Sequence, residues 1–147
     1  MTSTAQARVF PARMDVLPGV AAFVSGVCVT AGLGREDMLR LILLVEELFT
    51  NTVTHGHGGD SEAPVQLRLT VTPGRIALTY EDTAPPHDPF TAARPSPPRG
   101  GVEERPVGGL GLRLVESLAG ELRYVRDGDH NRISLVVKVS GGAAGAG

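Results

Sequence analysis

Glu47, Asn51 and His55 stand four residues apart in Glu47-Leu-Phe-Thr-Asn51-Thr-Val-Thr-His55. On a helix that spacing stacks them along one stripe. A carboxylate and a carboxamide one turn apart suit a hard cation. The Asn carbonyl oxygen can ligate Mg²⁺, while the Glu holds or deprotonates a nearby water or hydroxyl. The plainer alternative makes Glu46 and Glu47 solvated helix charges and leaves Asn51 and His55 to prepare the helix end. A second candidate is Asp82, which follows Glu81 and enters Thr83-Ala84-Pro85-Pro86-His87-Asp88-Pro89-Phe90. An acid at a strand terminus beside a loop can accept a hydrogen bond from an exocyclic amine such as adenine's, or simply form a turn. A third is Gly108-Gly109-Leu110-Gly111, where glycines opening a helix let the backbone approach a ligand and its free N–H groups favour phosphate. The full dinucleotide fingerprint is missing there, because Leu114 stands where a third Gly belongs and no strand precedes.

These residues need elements to hold them. Residues 7–13 read as a short edge strand, since Pro11 cannot donate to a ladder. Asp15 can cap a helix running to about Ala31, which Gly32 and Gly34 end. A second helix starts near Arg35-Glu36-Asp37, with acids in its first turn, and runs to about His55. It is apolar nearly all round from Met38 to Val45, so it is expected to be buried. Residues 64–72 and 75–82 alternate apolar and polar around Pro73-Gly74, a hairpin signal. Seven of the eleven prolines fall in residues 83–107, which read as a long loop, and loops of that length are uncommon unless functional. A third helix is expected over 108–119, ended by Gly120, then strands over 121–126 and 131–139 joined at Asp127-Gly128-Asp129. The order β-α-α-β-β-loop-α-β-β predicts an α+β two-layer sandwich, with helices on one face of a mixed, mostly antiparallel sheet.

The chain has 147 residues, enough for one domain with a real core. Residues 1–140 are read as that domain and the Gly/Ala run 141–147 as a disordered tail. The formal net charge is −2 with no basic run, which argues against direct nucleic-acid binding through phosphate contacts. Lys138 is the single lysine and sits in Val-Val-Lys-Val, so a P-loop, which needs Gly-Lys-Ser/Thr, is excluded. The lone Cys28 excludes an internal disulfide and fits a buried, inert thiol in a reducing compartment. Arg8 and Arg13 before the apolar run 16–33 imitate an export signal, but Asp15, Pro18, Gly19 and Gly26 interrupt it. The run is read as a core helix of a cytoplasmic protein without a membrane span. His55, His57, His87 and His130 form no metal-ligand spacing.

Order turns three weak signals into one strong one. A Glu-x-x-x-Asn helix, an Asp after a strand and a loop closing on Gly-x-Gly resemble the GHKL ATPase superfamily. Glu47 to Gly56 resembles the N-box of the bacterial anti-sigma-factor serine/threonine kinases. Asp82-Thr-Ala-Pro-Pro-His-Asp-Pro89 is similar to their Asp-x-Gly-x-Pro-Phe-Asp-Pro segment, and Gly108 to Val115 to their second glycine box. The resemblance covers about residues 8–139.

The resemblance implies a Bergerat-type ATP site in a histidine-kinase-like fold. Glu47 matches the general base and Asn51 the Mg²⁺ ligand. Asp82 matches the adenine-reading carboxylate, with Ala84 beside it. Gly109, Leu110 and Gly111 match the phosphate-side backbone, and about residues 91–107 the mobile ATP lid. Arg94, Arg99 and Arg105 are the lid arginines open to phosphate contact, and Arg105 is counted among the nucleotide contacts. The implied activity is ATP- and Mg²⁺-dependent phosphorylation of an anti-sigma-factor antagonist protein, with a sigma factor or related regulator sequestered, and the family often forms homodimers. Two residues depart from the pattern: Ala84 replaces a Gly and His87 a Phe. They motivate an alternative, a partner-binding module that senses nucleotide or works without it and transfers no phosphoryl group.

Overall fold

The computed structural model describes residues 4–86 and 119–140. The glycine box at 108–111, Arg94, Arg99, Arg105, His87, the third helix expected from 108, the lid and the tail lie outside the described residues.

Strand β1 (Thr4–Pro11) is followed by helices α1 (Leu17–Thr30) and α2 (Arg35–Asn51), then strands β2 (Pro64–Thr72) and β3 (Arg75–Asp82). Strands β4 (Ala119–Asp127) and β5 (His130–Lys138) complete the fold. The strands form one sheet in the order β1-β2-β3-β5-β4, antiparallel at every pairing. The expected two-layer α+β architecture is borne out, and the sheet is wholly antiparallel among the described residues rather than mixed. Gly74 and Gly128 adopt φ of 78° and 60° at the two hairpin turns, conformations that favour glycine.

Strand periodicity separates the two faces of the sheet. Val65, Leu67, Leu69 and Val71 of β2, Ile76, Leu78 and Tyr80 of β3, and Ile133, Leu135 and Val137 of β5 are all buried. They join the interior stripes of α1 (Val20, Val24, Val27) and α2 (Leu41, Leu44, Leu48) in one core. The intervening residues Gln66, Arg68, Arg75 and Ala77 face away and are exposed. Cys28 is fully buried in this core, and burial pushes its thiol up to about 11, as the inert-thiol expectation requires. No helix among the described residues is long and apolar enough to cross a membrane.

Several sequence expectations are corrected. Asp15 does not cap α1: it lies in a 3₁₀ turn (Met14–Val16), and Val16 takes the cap position without a side-chain bond. The Asp15 carboxylate is drawn instead to Arg13, 3.0 Å away, and Arg13 also reaches Glu62 at 2.7 Å. Pro18 in the first turn has no N–H to satisfy, which lessens the need for a cap. The first strand runs 4–11 rather than 7–13. Ala119 and Gly120 belong to β4, where a bulge between Ala119 and Glu121 accommodates Gly120, and not to the end of a helix. At the start of α2, Asp37 is buried and accepts from Ser140 N and Oγ at 3.0 and 3.2 Å, tying the chain after β5 to the helix.

The largest local correction falls at the end of α2. Its α-helical bonding stops at Asn51, and residues Thr52–Gly56 form a π turn. The His57 N–H donates to Thr52 O at 2.9 Å, five residues back. This wider turn breaks the four-residue stripe. Thr52 and Val53 are buried, while His55 is turned out to solvent.

Candidate functional site

Thr52 sets the chemistry of this corner. Its backbone is still α-helical, with its N–H on Leu48 O. It therefore continues the interior stripe of α2 and meets the end of β3, where Thr52 Oγ1 donates to Asp82 Oδ2 at 2.8 Å. Thr52 Oγ1 also lies 2.6 Å from the Tyr80 hydroxyl, which in turn reaches Leu48 O at 3.1 Å. Assigning Thr52's single proton to the carboxylate, the strongest acceptor in reach, leaves Tyr80 as the donor to Thr52. Tyr80 keeps its proton for this, because burial holds its phenol well above the usual value. The network therefore runs in one direction, from Tyr80 through Thr52 to Asp82.

Asp82 is approached from its other side by β5. The register places Asn131 directly opposite Asp82, and Arg126 of β4 directly opposite Asn131. Asn131 Nδ2 donates to Asp82 Oδ1 at 2.8 Å and contacts the carbonyls of Ala84 and Pro85, each at 3.1 Å. Its Oδ1 accepts from the Tyr124 hydroxyl and from Arg126 Nη1 at 3.3 Å. Among the described residues, the partners on the nitrogen side are acceptors and those on the oxygen side are donors, which assigns the orientation of this amide. Arg126 Nη1 also donates to Ala84 O at 2.8 Å. The Ala84 N–H donates to Asp82 Oδ1 at 3.2 Å.

Asp82 is 8% exposed and accepts three hydrogen bonds, from Thr52, Asn131 and Ala84. A carboxylate offers about four lone-pair positions, so one remains for a ligand donor. Buried acids supplied with this many donors are held in one orientation. Sequence reading found Asp82 and missed Thr52, Tyr80, Asn131 and Arg126. Thr52 carried a weak signal, since it stands four residues after Leu48 on the interior stripe of α2, where a hydroxyl needs a partner. Asn131 and Arg126 became legible only through the β3/β5/β4 register.

Of the other sequence candidates, Asn51 is 9% exposed at the last position of α2. Glu47 lies one turn earlier and is partly buried. Desolvation, with a smaller contribution from the Glu46 charge, holds the Glu47 carboxyl above its ordinary value, the direction that suits a proton acceptor. Thr52 thus links the Glu47/Asn51 end of α2 to Asp82, so two of the three sequence signals meet. The third, at Gly109, Leu110 and Gly111, lies outside the described residues.

The donor set around Asn51 and Glu47 is oxygen-only. Among the described residues no three His, Cys, Asp or Glu side chains gather into a metal cage. An oxygen pair without a full cage fits Mg²⁺, which takes one or two protein oxygens and fills its octahedron with water and phosphate. It does not fit a structural zinc centre.

Ala84 is 1% exposed, and its methyl lies against Gly56 at the end of the π turn. A β-carbon added at Gly56 would stand 3.0 Å from the Ala84 β-carbon and 3.9 Å from Asn51 O. Ala84 cannot give way easily, because Asn131 and Arg126 hold its carbonyl. Gly56→Ala is expected to lower the unfolding free energy by about 1–3 kcal/mol in urea denaturation. Adding Ala84→Gly should return most of that loss, and strict additivity of the two changes would show that these positions do not press on each other.

A model of the histidine kinase-like ATPase domain family matches residues 10–137 of the chain. The chain is 29% identical over 120 residues to a protein named serine-protein kinase RsbW from Bacillus licheniformis, covering 80% of this chain and 75% of that one. A protein of the same name from Bacillus subtilis is 29% identical over 117 residues, covering 77% and 72%. Among solved structures, the RsbU and RsbW domains of a Mycobacterium tuberculosis protein superpose with a TM-score of 0.64 at 15% identity. That match covers 92% of this chain and 32% of the other, so the chain spans about a third of that structure's length. The histidine kinase domain of a blue-light activated histidine kinase from Erythrobacter litoralis superposes with a TM-score of 0.52 at 24% identity, covering 88% and 62%. These superpositions support the fold.

Proposed function

The chain belongs to the histidine kinase-like ATPase domain family, and from that premise we propose that it is an ATP- and Mg²⁺-dependent protein serine/threonine kinase of the anti-sigma-factor type. Its substrate would be a small anti-sigma-factor antagonist protein, its second partner a sigma factor or related regulator, and its setting the cytoplasm. The observation that carries the reading is the hydrogen bond from Thr52 to Asp82. It joins the buried Asp82 carboxylate to the helix end that bears Glu47 and Asn51. The names of the two Bacillus relatives support the kinase class.

In this reading Asp82 accepts a hydrogen bond from the exocyclic amine of adenine, with Ala84 backing the carboxylate. Asn51 supplies a carbonyl oxygen to Mg²⁺. The ion, when bound, neutralises phosphate charge, and positioning plus charge neutralisation is most of what phosphoryl transfer requires. Glu47 accepts the proton of the acceptor hydroxyl as its oxygen bonds to the γ-phosphorus and the bond from that phosphorus to the β–γ bridging oxygen breaks. ADP leaves with the displaced oxygen. The backbone of Gly109, Leu110 and Gly111 and a lid arginine, Arg105 or one of Arg94 and Arg99, complete the phosphate side.

The test is incubation of the purified chain with γ-labelled ATP, Mg²⁺ and a candidate anti-sigma-factor antagonist protein. Label is expected on a Ser or Thr of the antagonist and should be lost on chelation with EDTA. A chain that binds ATP by calorimetry yet labels nothing overturns the kinase reading and leaves the nucleotide-sensing binding module. A chain that binds no ATP overturns both and leaves nucleotide-independent partner binding.

A further inference from the structure

The Asn131 carboxamide does more than tie two strands together. It faces Asp82 across the β3/β5 pairing and, among the described residues, is the one side chain that contacts Asp82 Oδ1, the Ala84 carbonyl and the Pro85 carbonyl together. It is itself clamped from β4 by Tyr124 and Arg126. At 3% exposure, and with donors on its oxygen and acceptors on its nitrogen, it has no alternative rotamer that keeps these bonds. Asp82 is therefore gripped on both oxygens: Oδ2 by Thr52 from α2's end, Oδ1 by Asn131 and the Ala84 N–H. A carboxylate gripped only by donors can present nothing but an acceptor to a ligand.

We propose that Asn131, clamped by Tyr124 and Arg126, is a positioning residue that sets base selectivity by fixing Asp82 as an acceptor, so that the site takes 6-aminopurine nucleotides and rejects 6-oxopurines. The inference rests on the ATP-site reading above and deepens it. A 6-oxopurine would point its carbonyl oxygen at the carboxylate, acceptor against acceptor. It binds only if Asp82 can turn aside or give up its place to water. The Asn131 grip prevents the turn. Thr52 and Ala84 alone leave Oδ1 with a single, longer bond, from the Ala84 N–H at 3.2 Å.

The experiment measures ATP and GTP affinity by calorimetry in the full chain, for the wild type, Asn131→Ala and Asn131→Ser, with thermal melting to confirm folding. Asn131→Ala should cut the ATP-over-GTP preference about tenfold, the worth of one hydrogen bond to a charged group. The loss should fall on ATP while GTP affinity stays level or rises. Asn131→Ser, which keeps a hydroxyl donor on the same β-carbon, should recover part of the preference. A purely structural role would weaken both nucleotides alike, and a parallel loss overturns the proposal. Should Asn131→Ala fail to fold, Tyr124→Phe supplies the decision, since it removes a donor to the amide oxygen while keeping the ring. A selective drop in ATP preference supports the inference, and an unchanged ratio overturns it. A wild-type chain that binds neither nucleotide defeats the ATP-site reading itself, an outcome distinct from binding ATP with an Asn131-independent preference.

Discussion

Glu47→Gln is expected to slow phosphoryl transfer by about 10²–10⁴-fold, the usual contribution of a positioned general base, while ATP affinity stays close to that of the wild type. The carboxamide is isosteric and keeps a hydrogen-bonding oxygen but cannot take up a proton. The same exchange should make the protein slightly more stable at neutral pH. Desolvation and the Glu46 charge both disfavour ionised Glu47 in the folded chain, so its folded pKa lies above the unfolded one. A carboxyl with that sign favours the fold at low pH and opposes it once pH rises past the folded value. Removing the charge therefore relieves a cost present at pH 7. The activity of the wild type should fall as pH drops through a value above the ordinary glutamate range, because the base works only when deprotonated. Single-turnover assays over a pH series, paired with melting curves, test both statements. A Glu47→Gln protein with full transfer activity would remove Glu47 from the mechanism. One with lost activity and a lower melting temperature would point to a structural role.

Asp82→Asn is expected to have the largest effect on binding, raising the Kd for ATP about 10²-fold or more. The carboxamide keeps the size of the side chain and gains an NH₂ on one side. That NH₂ must face either Thr52, on the Oδ2 side, or Asn131 and the Ala84 N–H, on the Oδ1 side. On the Oδ1 side it sets donor against donor in a buried place. On the Oδ2 side it makes Thr52 accept and turn its proton to Leu48 O, 3.2 Å away. Either way a hydrogen bond to a charged acceptor, worth about 1.5–3 kcal/mol, is lost. Part of the cost appears as stability, about 2 kcal/mol in denaturant titration, because Thr52 and Tyr80 lose the end of their network. The remainder appears as lost adenine recognition. Calorimetry at a temperature well below the variant's melting point separates the two. An Asp82→Asn protein that binds ATP normally would show that the base is read elsewhere.

Much of the fold was written in periodicity. The alternation over 64–72 and 75–82 predicts β2 and β3 to the residue, because one face of that hairpin is buried and the other open. The turn glycines were equally plain, since Gly74 and Gly128 adopt left-handed backbone that few other residues accept. The end of α2 was misread for a physical reason. The spacing from Glu47 to His55 assumes 3.6 residues per turn, and no composition rule signals a π turn at Thr52. Capping at Asp15 failed because a nearby guanidinium competes for the same carboxylate. In the site, Glu47, Asn51 and Asp82 were legible because their residue types are unusual for their places. Asn131 and Arg126 were not, since an Asn and an Arg beside a hairpin turn look ordinary until the register sets them opposite Asp82.

The strand order carries a consequence for how the protein comes into being. β5 lies between β3 and β4, so the last strand of the chain occupies the inside of the sheet while the strand before it takes the edge. A nascent chain emerging from the ribosome has Glu47, Asn51 and Asp82 outside long before residue 131 is made. Until that final segment slots between its neighbours, Asp82 lacks its cross-strand partner and β3 has an open edge. Asp82 thus gains its Asn131 bond only once residue 131 has been made. A chain interrupted before β5 would carry Glu47, Asn51 and Asp82 without the cross-strand bond that holds the carboxylate.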